Sequence, residues 1–194
     1  MIIDAHNHLG VRAGAVQTGA DLIARIDAVG VDKAVMFPFV EGNFTNEPIK
    51  EAFDQFPDRL IPFCAVNAWE AGAADEVRRC VVDWGFKGLK LHPTINGYHL
   101  SDPHLVDPLF KVADELGIPV IVHGASDLYN SPPEFALMAA RFPNVPLLMA
   151  HMGFFGPWIR LSASHENSRT SIWKHHAHRY SRFRPPFVRS VRIR

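Results

Sequence analysis

Along this chain, short apolar runs alternate with stretches whose apolar residues recur every three or four positions. The runs are MIIDAHNHLG, KAVMFPFV, LIPFCAVNA, GFKGLKLHP, IPVIVHGA and NVPLLMAHMG, and each reads as a strand. Between them, ADLIARIDAVG places Leu22, Ile23, Ile26 and Val29 on one helical stripe, with Gly30 as its stop. NEPIKEAFDQFP is a second helix, capped by Asn46 or Thr45. DEVRRCVVDWG, HLVDPLFKVADELG and SPPEFALMAARFP follow as helices, the last with Ser131 as cap.

Near-continuous apolar strands that alternate with amphipathic helices belong to a parallel sheet covered by helices. The unit recurs at roughly 25–30 residues. The expected fold is α/β, a (β/α)8 TIM-barrel type that is incomplete, with about six βα units recognisable over residues 1–153. An open doubly wound sheet shares these local signals. It loses support because neither a GxGxxG nor a GxxxxGK[ST] loop occurs.

Composition narrows the class. The chain has 194 residues, 47% hydrophobic and 21% charged, ordinary for a globular domain with a real core. No apolar run approaches the ~20 residues of a membrane span, and no secretory leader is legible. Cys64 and Cys80 form neither a disulfide framework nor a CxxC pair, so a reducing cytoplasm is the expected compartment.

Candidate chemistry gathers at strand ends. Strict alternation puts Asp4, His6 and His8 on one face of the first strand, and Ile3, Ala5 and Asn7 on the other. In the fourth strand, Leu89 and Leu91 oppose Lys90 and His92; in the fifth, Val120 and Val122 oppose Ile121 and His123. In the sixth, Leu148 and Ala150 oppose Leu147, Met149 and His151. A parallel barrel brings all these C-terminal strand ends to one mouth. Each buried imidazole needs a partner, and one metal ion satisfies several at once. Imidazole nitrogens suit zinc, with other divalent transition metals as alternatives. Lys90 either contacts substrate or pairs with a carboxylate such as Asp4. Asn7 is expected to hydrogen-bond locally, and Tyr98 and His99 to lie in a surface loop. Specificity is expected in the loops Val11–Thr18, Glu41–Asn46 and Asn96–Asp102.

DAHNH, GFKGLKLHP, PVIVHGA and PLLMAHMG, in that order and spacing, resemble the amidohydrolase superfamily. They are most similar to the amidohydrolase-related branch that includes aminocarboxymuconate-semialdehyde decarboxylase. The resemblance implies a metal-dependent hydrolase or decarboxylase that acts on a small organic acid, or on an amide- or ester-like substrate, through a metal-activated water. By the same resemblance His6, His8 and His123 hold a divalent metal, zinc by expectation, and His151 acts as acid or base. Lys90 and His92 are assigned to substrate contact. The expected partner is a small-molecule substrate; neither membrane nor nucleic acid is expected.

The tail departs from this pattern. Residues 1–156 carry 11 Lys and Arg against 19 Asp and Glu, a net −8, whereas residues 157–194 carry 9 against 1, a net +8. No convincing strand or long amphipathic helix is legible there, and no aspartate follows Asp127, although the family places one at the end of its eighth strand. Residues 154–194 are therefore read as an atypical basic tail, disordered or out of frame. The competing readings are an alternative closure of the domain and a basic arm for an acidic surface, with Trp158, Trp173 and Tyr180 among its arginines. KHHAH at 174–178 is a place for adventitious metal. An incomplete barrel exposes strand edges, for which a homo-oligomer is one remedy. The alternative to catalysis is an inactive barrel fragment, or a partner-binding protein with a basic arm.

Overall fold

The structure, a computed structural model, describes residues 1–124, 128–151 and 171–172 of the chain. Its strands are β1 (Ile3–Arg12), β2 (Ala15–Gln17), β3 (Lys33–Pro38), β4 (Leu60–Ala65), β5 (Gly88–Leu91), β6 (Val120–His123), β7 (Leu147–Ala150) and β8 (Ser171–Ile172). The helices are α1 (Gly19–Ala28), α2 (Glu47–Gln55), α3 (Ala73–Arg78), α4 (Pro93–Asn96), α5 (Asp107–Leu116) and α6 (Pro132–Arg141). A π-helical turn, Arg79–Asp83, continues α3.

The eight strands form one sheet in the order β2-β1-β3-β4-β5-β6-β7-β8. Every pairing is parallel except β1 with β2, a hairpin. Seven parallel strands thus lie side by side, and among the described residues the sheet does not close into a ring. The architecture is the expected α/β barrel type, incomplete, with one more parallel strand than the six expected. The addition is β8, which pairs Leu148 with Ser171 and Met149 with Ile172. It lies in the basic tail, where no strand was expected. Two residues are too few for a period-2 pattern to register. The KHHAH segment and the tail aromatics fall outside the described residues.

Side-chain alternation sorts the core into two clusters. Leu89, Leu91, Val120, Val122, Leu147 and Met149 face outward and pack with helix residues such as Leu22, Ile49, Val77, Phe110 and Met138. Val35, Phe37, Phe63, Ile121 and Ala150 face inward, with Ile3, Ile61 and Leu148 packed against them. Lys90 and His123 therefore point to the barrel interior, as the parity of β5 and β6 predicts.

Three helix expectations change, the first being Ser131, which stands at the start of α6 without a side-chain bond to cap it. Val29 is 72% exposed, because α1 ends before it and Gly30 turns the chain away. Asn46 stands at the start of α2, but its side chain does not cap that helix. It bridges instead to Ala65 and Glu76. No described helix is long and apolar enough to cross a membrane.

Candidate metal centre and active site

His6 and His8 come together in the middle of β1, which runs on past them to Arg12 where the sequence pattern ended the strand at the histidines. Their Nε2 atoms are 3.1 Å apart. His8 Nδ1 lies 3.1 Å from the Pro38 carbonyl oxygen. A carbonyl only accepts, so Nδ1 carries the proton and Nε2 is left with its lone pair. Phe37, fully buried, sets both rings. His6 meets its edge at 5.0 Å and His8 at 4.6 Å between centroids. Phe39 adds a face, stacked on His8 at 4.8 Å with ring planes 9° apart.

β1 reaches this arrangement through a bulge. Asp4 pairs with Ala34, but Asn7 pairs with Met36, so one extra residue is accommodated between them. Simple alternation fails there. Ile3, expected on the face opposite the histidines, packs with the inner cluster. Asp4 is exposed and accepts a bond from the His6 amide at 3.2 Å. It does not pair with Lys90. Asn7 donates to the Val35 carbonyl of β3 at 3.2 Å, a bond across to the neighbouring strand instead of one within its own loop.

His151 arrives by a second irregularity. Strand parity groups it with the outward-facing Leu147 and Met149. Its φ of 60°, in the left-handed region that non-glycine residues rarely occupy, breaks the alternation just after β7 ends. The His151 ring then lies 5.1 Å from His6 and 4.7 Å from His123. His123 stacks on His92 at 3.9 Å, with ring planes 13° apart. The five histidines of the sequence pattern, His6, His8, His92, His123 and His151, thus form one continuous ring cluster.

His92 also shapes the backbone. Its Nδ1 accepts from the Ile95 amide at 3.3 Å and so caps the short helix α4. That fixes the tautomer with the proton on Nε2. Burial, with added repulsion from His123, Lys90 and His8, drives its pKa down to about 2. His92 is a neutral donor at any physiological pH.

Lys90 is fully buried, and its Nζ has no hydrogen-bond partner among the described residues. The amine sits 4.9 Å from the centre of the Phe37 ring. Burial alone lowers its pKa to about 7. Tyr98, expected on a surface loop, is 2% exposed. Its pKa is raised by burial. His99 is exposed as expected.

The donor set fits a metal in one respect that can be measured. Two metal–nitrogen bonds of about 2.0–2.1 Å, at right or tetrahedral angles, set their nitrogens about 2.9–3.4 Å apart. The His6–His8 separation falls in that range. Among the described residues, no third His, Cys, Asp or Glu joins this pair in a three-ligand group.

Sequence reasoning missed Phe37 and Phe39. Alternation along KAVMFPFV, which sends Val35, Phe37 and Phe39 to one side, was the signal that could have found them. Arg12 and Glu41, inside two of the stretches where specificity was expected, pair with each other, and Arg12 lies over Phe39.

Comparison with known proteins adds a family. The sequence model of the amidohydrolase family matches residues 3–193, tail included. The chain is 28% identical over 81 residues to the 2-amino-3-carboxymuconate-6-semialdehyde decarboxylase of Dictyostelium discoideum, covering 41% of this chain and 22% of that protein. It is 29% identical over 100 residues to a 2-keto-4-carboxy-3-hexenedioate hydratase of Sphingobium, covering 47% and 29%. The matches thus span about a quarter of the length of these curated relatives. Among solved structures, a TIM-barrel protein of Bordetella bronchiseptica superposes with a TM-score of 0.66 at 17% identity, over 88% of this chain and 74% of that one. The 5-carboxyvanillate decarboxylase LigW2 of Novosphingobium aromaticivorans, solved with bound manganese, gives 0.58 at 22% identity, over 79% and 58%.

Proposed function

The chain belongs to the amidohydrolase family, and on that premise we propose that it hydrolyses or decarboxylates a small organic acid at the histidine cluster. The observation that carries this reading is the convergence of His6 and His8 Nε2 at 3.1 Å, with His8 fixed by Pro38. His6 and His8 hold a divalent ion; His123, which does not group with them here, becomes the third ligand by turning from its stack on His92. Zinc suits imidazole nitrogens, and manganese occupies a structural neighbour. Such an ion, when bound, supplies Lewis acidity toward a carboxylate or carbonyl oxygen.

The chain's own residues supply the rest. His151 gives or takes a proton at the reacting atom. Its ring contacts with His6 and His123 hold it beside the metal ligands. Lys90 receives a substrate carboxylate; the incoming anion offsets the cost of burial and restores the ammonium form. His92 donates from Nε2 while its Nδ1 stays on the α4 cap. Phe37, Phe63 and Ile121 keep the floor of the site dry. A reducing, cytoplasmic setting is part of the reading, supported by Cys64 and Cys80 as free buried thiols.

The sheet, unclosed among the described residues, favours a second reading, a barrel fragment that binds metal without turnover. The test separates the two. The full chain, loaded with Mn2+ or Zn2+, is incubated with a panel of small aromatic and unsaturated acids. Carbon dioxide release reports decarboxylation, and addition of water is read by mass. The proposal predicts turnover of at least one acid that falls about a hundredfold or more in His151→Asn. Metal binding without turnover of any acid leaves the second reading.

A further inference from the structure

Lys90 stands where the inner face of the sheet is apolar on each side that the strands supply. Its register partners are Ala65 on β4 and Ile121 on β6, both buried. Two residues back on the same face is Gly88, and the Phe63 ring covers it, 2.3–2.6 Å from where a Cβ would stand. The amine itself lies 4.9 Å from the centre of the Phe37 ring. Among the described residues it has no hydrogen-bond partner. Asp4, the carboxylate expected beside it, is exposed on β1 instead.

The histidines share this space. Lys90 and His8 both stand near enough to His92 for their charges to disfavour its protonation. His92 lies two residues beyond Lys90 and keeps its proton on Nε2, because Nδ1 accepts from the Ile95 amide. An uncharged donor and an amine thus come together. Burial alone brings the amine's pKa down to about 7, so near neutral pH a large share of it carries a lone pair. An amine in that state, enclosed by apolar groups with no acid to hold it, is a nucleophile, whereas exposed lysines stay ammonium. The carboxylate-receiving role proposed above uses the ammonium form of Lys90 and leaves the neutral form without a task.

We infer that Lys90 is a covalent binding site for a small ketone, which it holds as an imine through Nζ. The ligand class is a 2-oxo acid, whose carboxylate accepts from His92 Nε2. The lone pair on Nζ attacks the ketone carbon, and the carbonyl electron pair moves to oxygen. Nitrogen gives up a proton, oxygen takes one up, and water leaves as the C=N bond forms. Amine and ketone give imine and water, and water reverses the step with no oxidant or reductant. Imine formation needs no metal, so it goes beyond the acid-processing reading and stands independently of it.

The test is reductive trapping. Full-length, metal-free protein is incubated near neutral pH with pyruvate and cyanoborohydride, which reduces an imine to a stable secondary amine. Intact-mass and peptide mass spectrometry then locate the adduct. A single adduct is expected, on Lys90, formed at least about tenfold faster than on the exposed Lys87 and Lys111, whose amines stay protonated. Propanoate, which has the carboxylate and no ketone, gives none. In urea the preference for Lys90 disappears with the enclosure that creates it. Lys90→Met removes the adduct, and the wild-type peptide map stands whether or not that variant folds. An adduct spread over the surface lysines, one that survives Lys90→Met, or none on wild type overturns the assignment. Because the protein is metal-free, failure of the labelling leaves the His6 and His8 reading to be judged by metal content. Failure of metal binding leaves the labelling intact.

Discussion

Lys90 Nζ lies 4.9 Å above the ring of Phe37, inside the sheet and without a hydrogen-bond partner among the described residues. The ring's negative face offers a cation some compensation, but less than water or a carboxylate does. The folded-state pKa falls to about 7 from an ordinary value of 10.5. Below pH 7 both folded and unfolded chains carry the proton, and the cost of burying it is complete. Between pH 7 and about 10 the unfolded chain holds more protons than the folded one, so stability rises with pH, by up to about 1.4 kcal/mol per unit. Urea denaturation of metal-free protein from pH 6 to 10 is expected to show this rise as a difference between wild type and Lys90→Met. The variant is the more stable at pH 6 and loses its advantage toward pH 10. Parallel pH curves would show that Lys90 has a partner that the described residues lack.

Gly88 places β5 against Phe63 on β4. A Cβ there would sit 2.3–2.6 Å from three atoms of the Phe63 ring, closer than side chains pack. Gly88→Ala is expected to cost about 2–3 kcal/mol, as overpacking of a close-fitted interior does. A second change, Phe63→Leu, opens space on the same spot. In a double-mutant cycle the pair should couple by more than about 1 kcal/mol; simple additivity would contradict the packing described.

Asn46 is 3% exposed and makes three bonds of one kind of consequence. Its amide donates to the Ala65 carbonyl at 3.0 Å and to Glu76 at 2.8 Å, and its oxygen accepts from the Ala65 amide at 2.9 Å. It therefore ties the end of β4 to α3. Asn46→Ala leaves the buried Ala65 groups unpaired and is expected to cost about 2–4 kcal/mol in thermal or chemical unfolding. A cost of a few tenths, typical of a surface loop residue, would contradict the bridge.

The alternation of β5 and β6 was legible residue by residue. Leu89 and Leu91 pack outward while Lys90 points in, and Ile121 and His123 do the same opposite Val120 and Val122. The rule fails where the backbone leaves the regular strand. The bulge between Asp4 and Asn7 moves Ile3 to the inner face, and the left-handed turn at His151 carries that ring to His6 and His123. Neither irregularity has a glycine or proline to announce it. Both lie beside histidines that bear the proposed chemistry, one within β1 and one just past the end of β7, where local preference yields to the geometry of a site. Tyr98 is hidden from sequence reasoning for another reason. Its place in the main core cluster comes from tertiary packing, which no local pattern records.

His6 and His8 are the centre of this account, and metal content tests it most directly. Full-length protein purified without an affinity tag, dialysed against Zn2+ or Mn2+ and then against metal-free buffer, is assayed by elemental analysis beside His6→Ala/His8→Ala. The account predicts about one ion per chain in wild type and its loss in the double variant, with both proteins folded by circular dichroism. The same metal content in the two proteins, or none in wild type, would contradict it.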